Sequence, residues 1–151
     1  MRQRLNEALK VALKAKDQRA VSTLRLILAA LKDRDIALRT KGGGDEGIDE
    51  AEILKMLQTM IKQRREAIEL YEQGGRLDLA EQEGEEIKVI ERFLPKQMSE
   101  EEIAGAVGEV IAETGASGIK DMGGVMSELR QRYAGQMDFA KASQVVKQRL
   151  A

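Results

Sequence analysis

The sequence predicts an all-α protein, and three observations carry that prediction. Apolar residues recur at i, i+3, i+4 and i+7, the spacing of helices that bury one face. A single proline interrupts 151 residues rich in Ala, Leu, Glu, Lys, Arg and Gln, the strong helix formers. No segment alternates apolar and polar residues as a half-buried strand would, and no internal repeat stands out. The predicted architecture is a helical N-terminal domain, residues 1–95, followed by a small three-helix C-terminal domain, residues 96–151.

The elements follow in order. A first helix runs from the start to about Ala15, and Asp17 is placed to cap a second, which carries Ala20, Leu24, Ile27, Leu28 and Leu31 on one face. "TKGGGDEG", residues 40–47, has the composition of a surface loop. A third helix starts with Asp49 and Glu52 as a capping-box variant, stapled by Ile48 and Ile53. It continues through Leu57, Met60, Ile61, Ile68 and Tyr71 to the turn "QGGR" at 73–76. A fourth carries Leu79, Ala80, Ile87, Ile90 and Phe93 and stops before Pro95, which also restricts the residue preceding it.

Pro95 to Ser99 is the predicted hinge. Ser99 and Glu102 form a fresh capping box there, stapled by Met98 and Ile103. Three short helices follow, at about 100–114, 118–134 and 138–150, with Asp138 capping the last. The middle one contains adjacent glycines, each costing about 1 kcal/mol relative to alanine inside a helix. At 100° per residue, Ile119, Met122, Met126, Leu129 and Tyr133 form its buried stripe. Gly123 falls at the flank of that stripe and is expected to let another helix approach closely. Gly124 falls opposite, in a row with Lys120, Ser127 and Gln131, where it either frays or leaves room for a ligand.

Composition narrows the chemistry. With only 3% aromatic residues and no Trp, the core must be aliphatic. The chain has no Cys and no His, which removes disulfides, thiol nucleophiles, imidazole acid–base catalysis and the usual zinc sites. "KGGGDEG" lacks the G-K-[ST] ending of a phosphate-binding loop, and "EQEGEE" is read as a solvated or ion-paired face rather than a metal site. No catalytic residue, cofactor or metal is expected. The start lacks a signal-peptide apolar core, and the longest apolar run, Leu26 to Leu31, is too short to span a bilayer, so the expectation is a cytoplasmic chain without a membrane partner. Net charge is only -1, but residues 118–151 hold six cations against three anions, a local +3. That end is the basic surface.

Motifs now add a family. "DMGGVM" with "YAGQMDFAKASQVVKQRL" resembles the D-M-G-x-V-M…G-x-x-D…V…L pattern of the GatB/YqeY family. "KQRREAIELYEQGGRLDLAEQEGEEIKVIERFLPKQMSEEEI" resembles the same family's K-Q-R…G-R-x-D-L-A…E…E…Y-L-P-x-Q-[LM]-[ST] signature, with Phe93 for the usual Tyr. The likeness covers essentially the full chain, which looks like a stand-alone YqeY-type protein. Its C-terminal part is similar to the tail of the GatB subunit of the glutamine-dependent aminoacyl-tRNA amidotransferase. In that enzyme the tail contacts tRNA while separate domains do the chemistry. Gly124 departs from the family, where lysine is common at that position, so this spot donates no cationic contact.

Three functions are therefore weighed: a tRNA- or RNA-associated binding module, an amidotransferase-type (carbon–nitrogen ligase, glutamine as amido donor) component working with amidotransferase subunits, and a protein–protein adaptor. The first is preferred, with Lys120, Arg130, Lys141 and Lys147 meeting phosphates of tRNA or another structured RNA, and Gly123 and Gly124 allowing close approach. A mixed-charge solvated surface is its competitor. In the N-terminal domain Arg64 and Glu83 interrupt apolar rows at matching heights of a hairpin, so Arg64 is expected to pair with Glu83 or Glu86 as a fold-specifying contact. Breaking such a pair, if buried, costs about 3–5 kcal/mol.

Overall fold

Seven α-helices and one 3₁₀ turn make up the regular structure of residues 1–151 in the computed structural model, and no strand is present. The helices group into two compact units, Met1–Leu94 and Pro95–Ala151. None is long and apolar enough to cross a membrane.

The first unit holds α1 (Arg2–Ala15), α2 (Gln18–Thr40), α3 (Glu50–Gln73) and α4 (Leu77–Glu91). Two residues turn the chain from α1 into α2. Lys16 takes the left-handed conformation at φ 58° and donates its N–H to the Ala12 and Leu13 carbonyls, while the Asp17 carboxylate accepts from Ala20 N. Asp49 caps α3 by accepting from Glu52 N at 2.9 Å. The hairpin between α3 and α4 closes through Gly75, at φ 72°, with Arg76 N donating to the Tyr71 carbonyl at 2.8 Å. That is the glycine-ended helix terminus expected where carbonyls need capping. Leu5, Leu24, Ile27, Ile53, Met56, Leu57 and Ile90 are fully enclosed, forming the aliphatic core. Thr23 is the buried polar side chain, and its hydroxyl donates to the Arg19 carbonyl one turn back.

The loop from 41 to 49 is tied down more firmly than its composition suggests. Asp35 accepts two hydrogen bonds from the Arg2 guanidinium, at 2.6 and 3.0 Å, and a third from Ile48 N at 2.9 Å. Arg2 also donates to the Ile48 carbonyl. Gly47 sits under this fork at φ 82°, where a Cβ would run into the Asp35 carboxylate and the Arg2 guanidinium. The Arg2 contact holds the Asp35 carboxyl below the usual carboxylate range.

The second unit holds α5 (Glu100–Thr114), the 3₁₀ turn (Ile119–Asp121), α6 (Met122–Arg132) and α7 (Phe139–Leu150). Ser99 and Glu102 make both bonds of the capping box, and Asp138 caps α7 by accepting from Ala140 N and Lys141 N. Each of the three helices packs on the other two around Ile103, Val107, Val110, Leu129, Met137 and Val146. Gln97 and Met98 pin the start of the unit by donating to the Gly135 and Gln136 carbonyls, at 2.6 and 2.8 Å.

One element differs from its sequence reading. Residues 118–134 do not form a single helix, because 119–121 wind as a 3₁₀ turn and the α-helix ends at Arg132. A 3₁₀ turn has three residues per turn, so it resets the phase of the stripe that follows. Val125, absent from the expected stripe, is buried beside Met126 and Leu129, while Ile119 is 49% exposed and Tyr133 only partly covered.

Candidate functional site

The segment leading into α6 is shaped by Asp121. Its carboxylate accepts from Ser117 N at 3.0 Å and Gly118 N at 3.4 Å, closing the turn that presents Ile119 and Lys120 to solvent. The Ser117 bond above all holds the Asp121 carboxyl below its usual range; burial opposes it, and the Gly118 bond and the Lys120 charge add to the lowering. Directly beyond lie Gly123 and Gly124, both exposed, with no atom within 4 Å of where a Cβ would sit on either. The expected close helix approach at Gly123 is therefore absent. The shifted phase of α6 turns both glycines, with Ser127, to the side away from Val125, Met126 and Leu129. They leave a bare strip of backbone.

The basic residues of this unit fall into two groups. Lys120, Arg130 and Lys147 are exposed and make no intramolecular ion pair or hydrogen bond. Arg130 follows the glycines by two turns on the same helix, about 10 Å along its axis. Lys141 is occupied differently: its ammonium lies 3.5 Å from Glu100 on α5, with both side chains exposed. Arg132, one of the six cations counted at this end, bridges Glu113 at 2.5 Å and Glu128 at 2.9 Å, and these carboxylates raise its already high pKa. Arg149 lies over the bare Cα of Gly108 on α5, a contact with no signature in the sequence beyond the glycine itself.

The structure thus places Lys120 on the 3₁₀ turn, Gly123, Gly124 and Arg130 on α6 directly after it, and Lys147 on α7, and draws Lys141 toward Glu100 of α5. Such an arrangement can contact phosphates; it supplies no nucleophile–base pair. No group of three or more acidic side chains is placed to hold a metal ion.

In the first unit, Arg64 Nε lies 2.9 Å from Glu86 Oε2 and 4.0 Å from Glu83 Oε2, and its Nη1 donates to the Met60 carbonyl. All three side chains are partly exposed, at 13% for Arg64, 16% for Glu86 and 23% for Glu83. Burial, then the Glu86 charge, push the Glu83 carboxyl above its usual range, and Arg64 offsets this only in part. A shallow apolar groove of about 220 Å³, lined by Ala8, Val11, Ala15, Leu24, Val89 and Phe93, lies beside α1. Nothing in the sequence pattern marked it.

Comparison with known proteins places these features in a family. The family model described as Yqey-like protein matches residues 2–150. A protein of Kluyveromyces lactis, "Altered inheritance of mitochondria protein 41, mitochondrial", is 30% identical over 112 residues, covering 72% of this chain and 57% of its own. The protein of that name from Lachancea thermotolerans is 32% identical over 111 residues, with the same coverage. An uncharacterized protein of Schizosaccharomyces pombe is 32% identical over 88 residues, covering 58% of this chain and 67% of its own. The chain spans little more than half the length of the first two.

Proposed function

The chain belongs to the Yqey-like protein family, and from that premise we propose that its second unit is an RNA-binding module that engages the phosphate backbone of tRNA or a similarly structured RNA. One observation carries the reading: Lys120, Arg130 and Lys147 stand exposed without an intramolecular ion pair, and Lys120 lies just before and Arg130 two turns after Gly123 and Gly124, which leave the backbone uncovered. Most protein–nucleic acid contacts that position a complex go to phosphates, and they need free cations and close approach. The resemblance to the GatB tail supports the choice of tRNA. Aromatic platforms do not support base reading, because Tyr133 and Phe139 are half-buried against the core of the unit.

Lys141 contributes less than the free cations, since RNA must compete with Glu100 for it. An exposed pair of that kind is worth only about 0–1 kcal/mol, so the competition is mild. Association with amidotransferase subunits follows from the same resemblance and is tested separately by copurification. A cytoplasmic location is part of the proposal, and fractionation of tagged full-length protein tests it; the Kluyveromyces lactis and Lachancea thermotolerans relatives are mitochondrial by name.

Fluorescence anisotropy of labelled total tRNA with the full chain, at low salt and over a salt series, tests the RNA reading. Binding is expected, and it should weaken with a log–log salt slope of about 0.7–0.9 per phosphate neutralised. Replacing Lys120, Arg130 and Lys147 together by alanine should remove most of that slope. Undetectable binding at low salt, or an unchanged slope in the triple variant, overturns the assignment.

A further inference from the structure

The face of α2 that points away from the core is not an ordinary solvated surface. At 100° per residue, the buried Leu24, Ile27 and Leu31 lie opposite a strip containing Ser22, Leu26, Ala29, Asp33, Ile36 and Ala37, all exposed. Leu26 is 47% and Ile36 45% exposed, ten residues apart along the helix. Across this strip, Arg25, Ala29, Asp33 and Ala37 succeed each other at four-residue intervals and form one ridge. Neither Arg25 nor Asp33 has a partner within the chain. They flank Ala29 by four residues on either side with opposite charge, so the ridge is complementary to itself when reversed.

We propose that this face is a self-association surface, on which two copies of the chain cross at Ala29 and pair Arg25 of each with Asp33 of the other. Helices packed through their four-residue ridges cross at about 50°, the angle that brings the two ridges side by side. A two-fold axis through the crossing runs them in opposite directions and sets unlike charges together on both sides. Alanine at the crossing point lets the backbones approach. Leu26 and Ile36 lose their exposure beside it and supply the apolar area. The occupant is a second copy, because the charge pattern is matched by its own reversal.

Sedimentation velocity on the full chain over a concentration series tests this, with circular dichroism confirming that each variant is folded. A dimer is expected at roughly 100 μM protein. Leu26→Glu and Ile36→Glu should each abolish it. Arg25→Asp alone or Asp33→Arg alone should weaken it about tenfold through like-charge contacts, and the two together should restore it. A wild-type chain that stays monomeric, including one whose α2 face serves a different protein, overturns the proposal. So does a dimer indifferent to Leu26→Glu, or a double charge reversal no better than the single ones.

Discussion

Glu83 and Glu86 stand one turn apart on α4 and face one guanidinium, yet they are expected to act on stability with opposite sign. Glu86 makes the 2.9 Å contact with Arg64, so Glu86→Gln weakens a charge-assisted bond and should destabilise the protein by about 1–3 kcal/mol. That is less than a fully buried pair would lose, because solvent reaches both side chains. Glu83 has its pKa raised in the fold, chiefly by burial. Folding therefore favours its protonated form; that contribution is fully present below its unfolded pKa and is lost as pH rises through the folded one. Glu83→Gln should raise the melting temperature at pH 7, with the gain shrinking as the pH is lowered through the carboxylate range. Melting curves of both variants from pH 4 to 8 check this, and a loss at pH 7 for Glu83→Gln would contradict it. Gly47 is a second residue with a definite role. Gly47→Ala meets both a left-handed φ and the Arg2–Asp35 fork, so urea denaturation should show a loss of about 2–3 kcal/mol. A change under 0.5 kcal/mol, the size usual at surface sites, would show that the fork gives way freely.

At the scale of the element, α6 trades its own stability for an uncovered start. Its two glycines lie in open space with ordinary helical backbone, so alanine fits at either without a clash. Gly123→Ala and Gly124→Ala should each stabilise the protein by about 0.5–1 kcal/mol, read from chemical denaturation. The RNA reading adds a second expectation for the same variants: tRNA affinity should fall while stability rises. Equal or better binding would remove the glycines from the proposed surface and leave them as fraying positions only. Asp121 stands immediately before α6, where its carboxylate closes the turn that carries Lys120. Asp121→Ala is expected to loosen residues 117–121, seen as faster amide exchange at Ser117 and Gly118.

For the whole molecule, the chain's two compact units meet in sequence at Leu94 and Pro95. Within the predicted Pro95 to Ser99 segment, Gln97 and Met98 are tied to Gly135 and Gln136, so we propose that the hinge is confined to Pro95 and Lys96, where Pro95 ends the helical run. Limited proteolysis should cut between Leu94 and Met98 before it cuts within any helix. A fragment beginning at Pro95 keeps all three mutually packed helices, and its dispersion in an NMR spectrum would show whether it folds alone. A unit of this size buries a modest share of its surface, so its melting temperature should lie below that of the full chain. Resistance of the 94–98 segment to protease would instead join the units into one body.

Residue order is enough for the helical class, for the four helix starts that carry a side-chain cap, and for the aliphatic faces of α2, α3 and α4. Those features are set by neighbours within a turn or two, where period and capping chemistry are written directly in residue order. Asp17, Asp49, Ser99 and Asp138 could be named as caps for that reason. Tertiary structure alone decided the rest. Whether residues 118–134 wind as one helix depended on how the turn after α5 packs, and that choice moved Gly123 from a supposed contact to open solvent. Which cations are free depended on acids distant in sequence: Glu113 claims Arg132 and Glu100 claims Lys141, across helices whose register no local pattern encodes. The role of Gly47 was equally hidden, because the Arg2–Asp35 fork above it joins residues 33 apart in the chain. Local propensity fixes what a segment becomes; only the packed chain settles which charges it leaves unanswered.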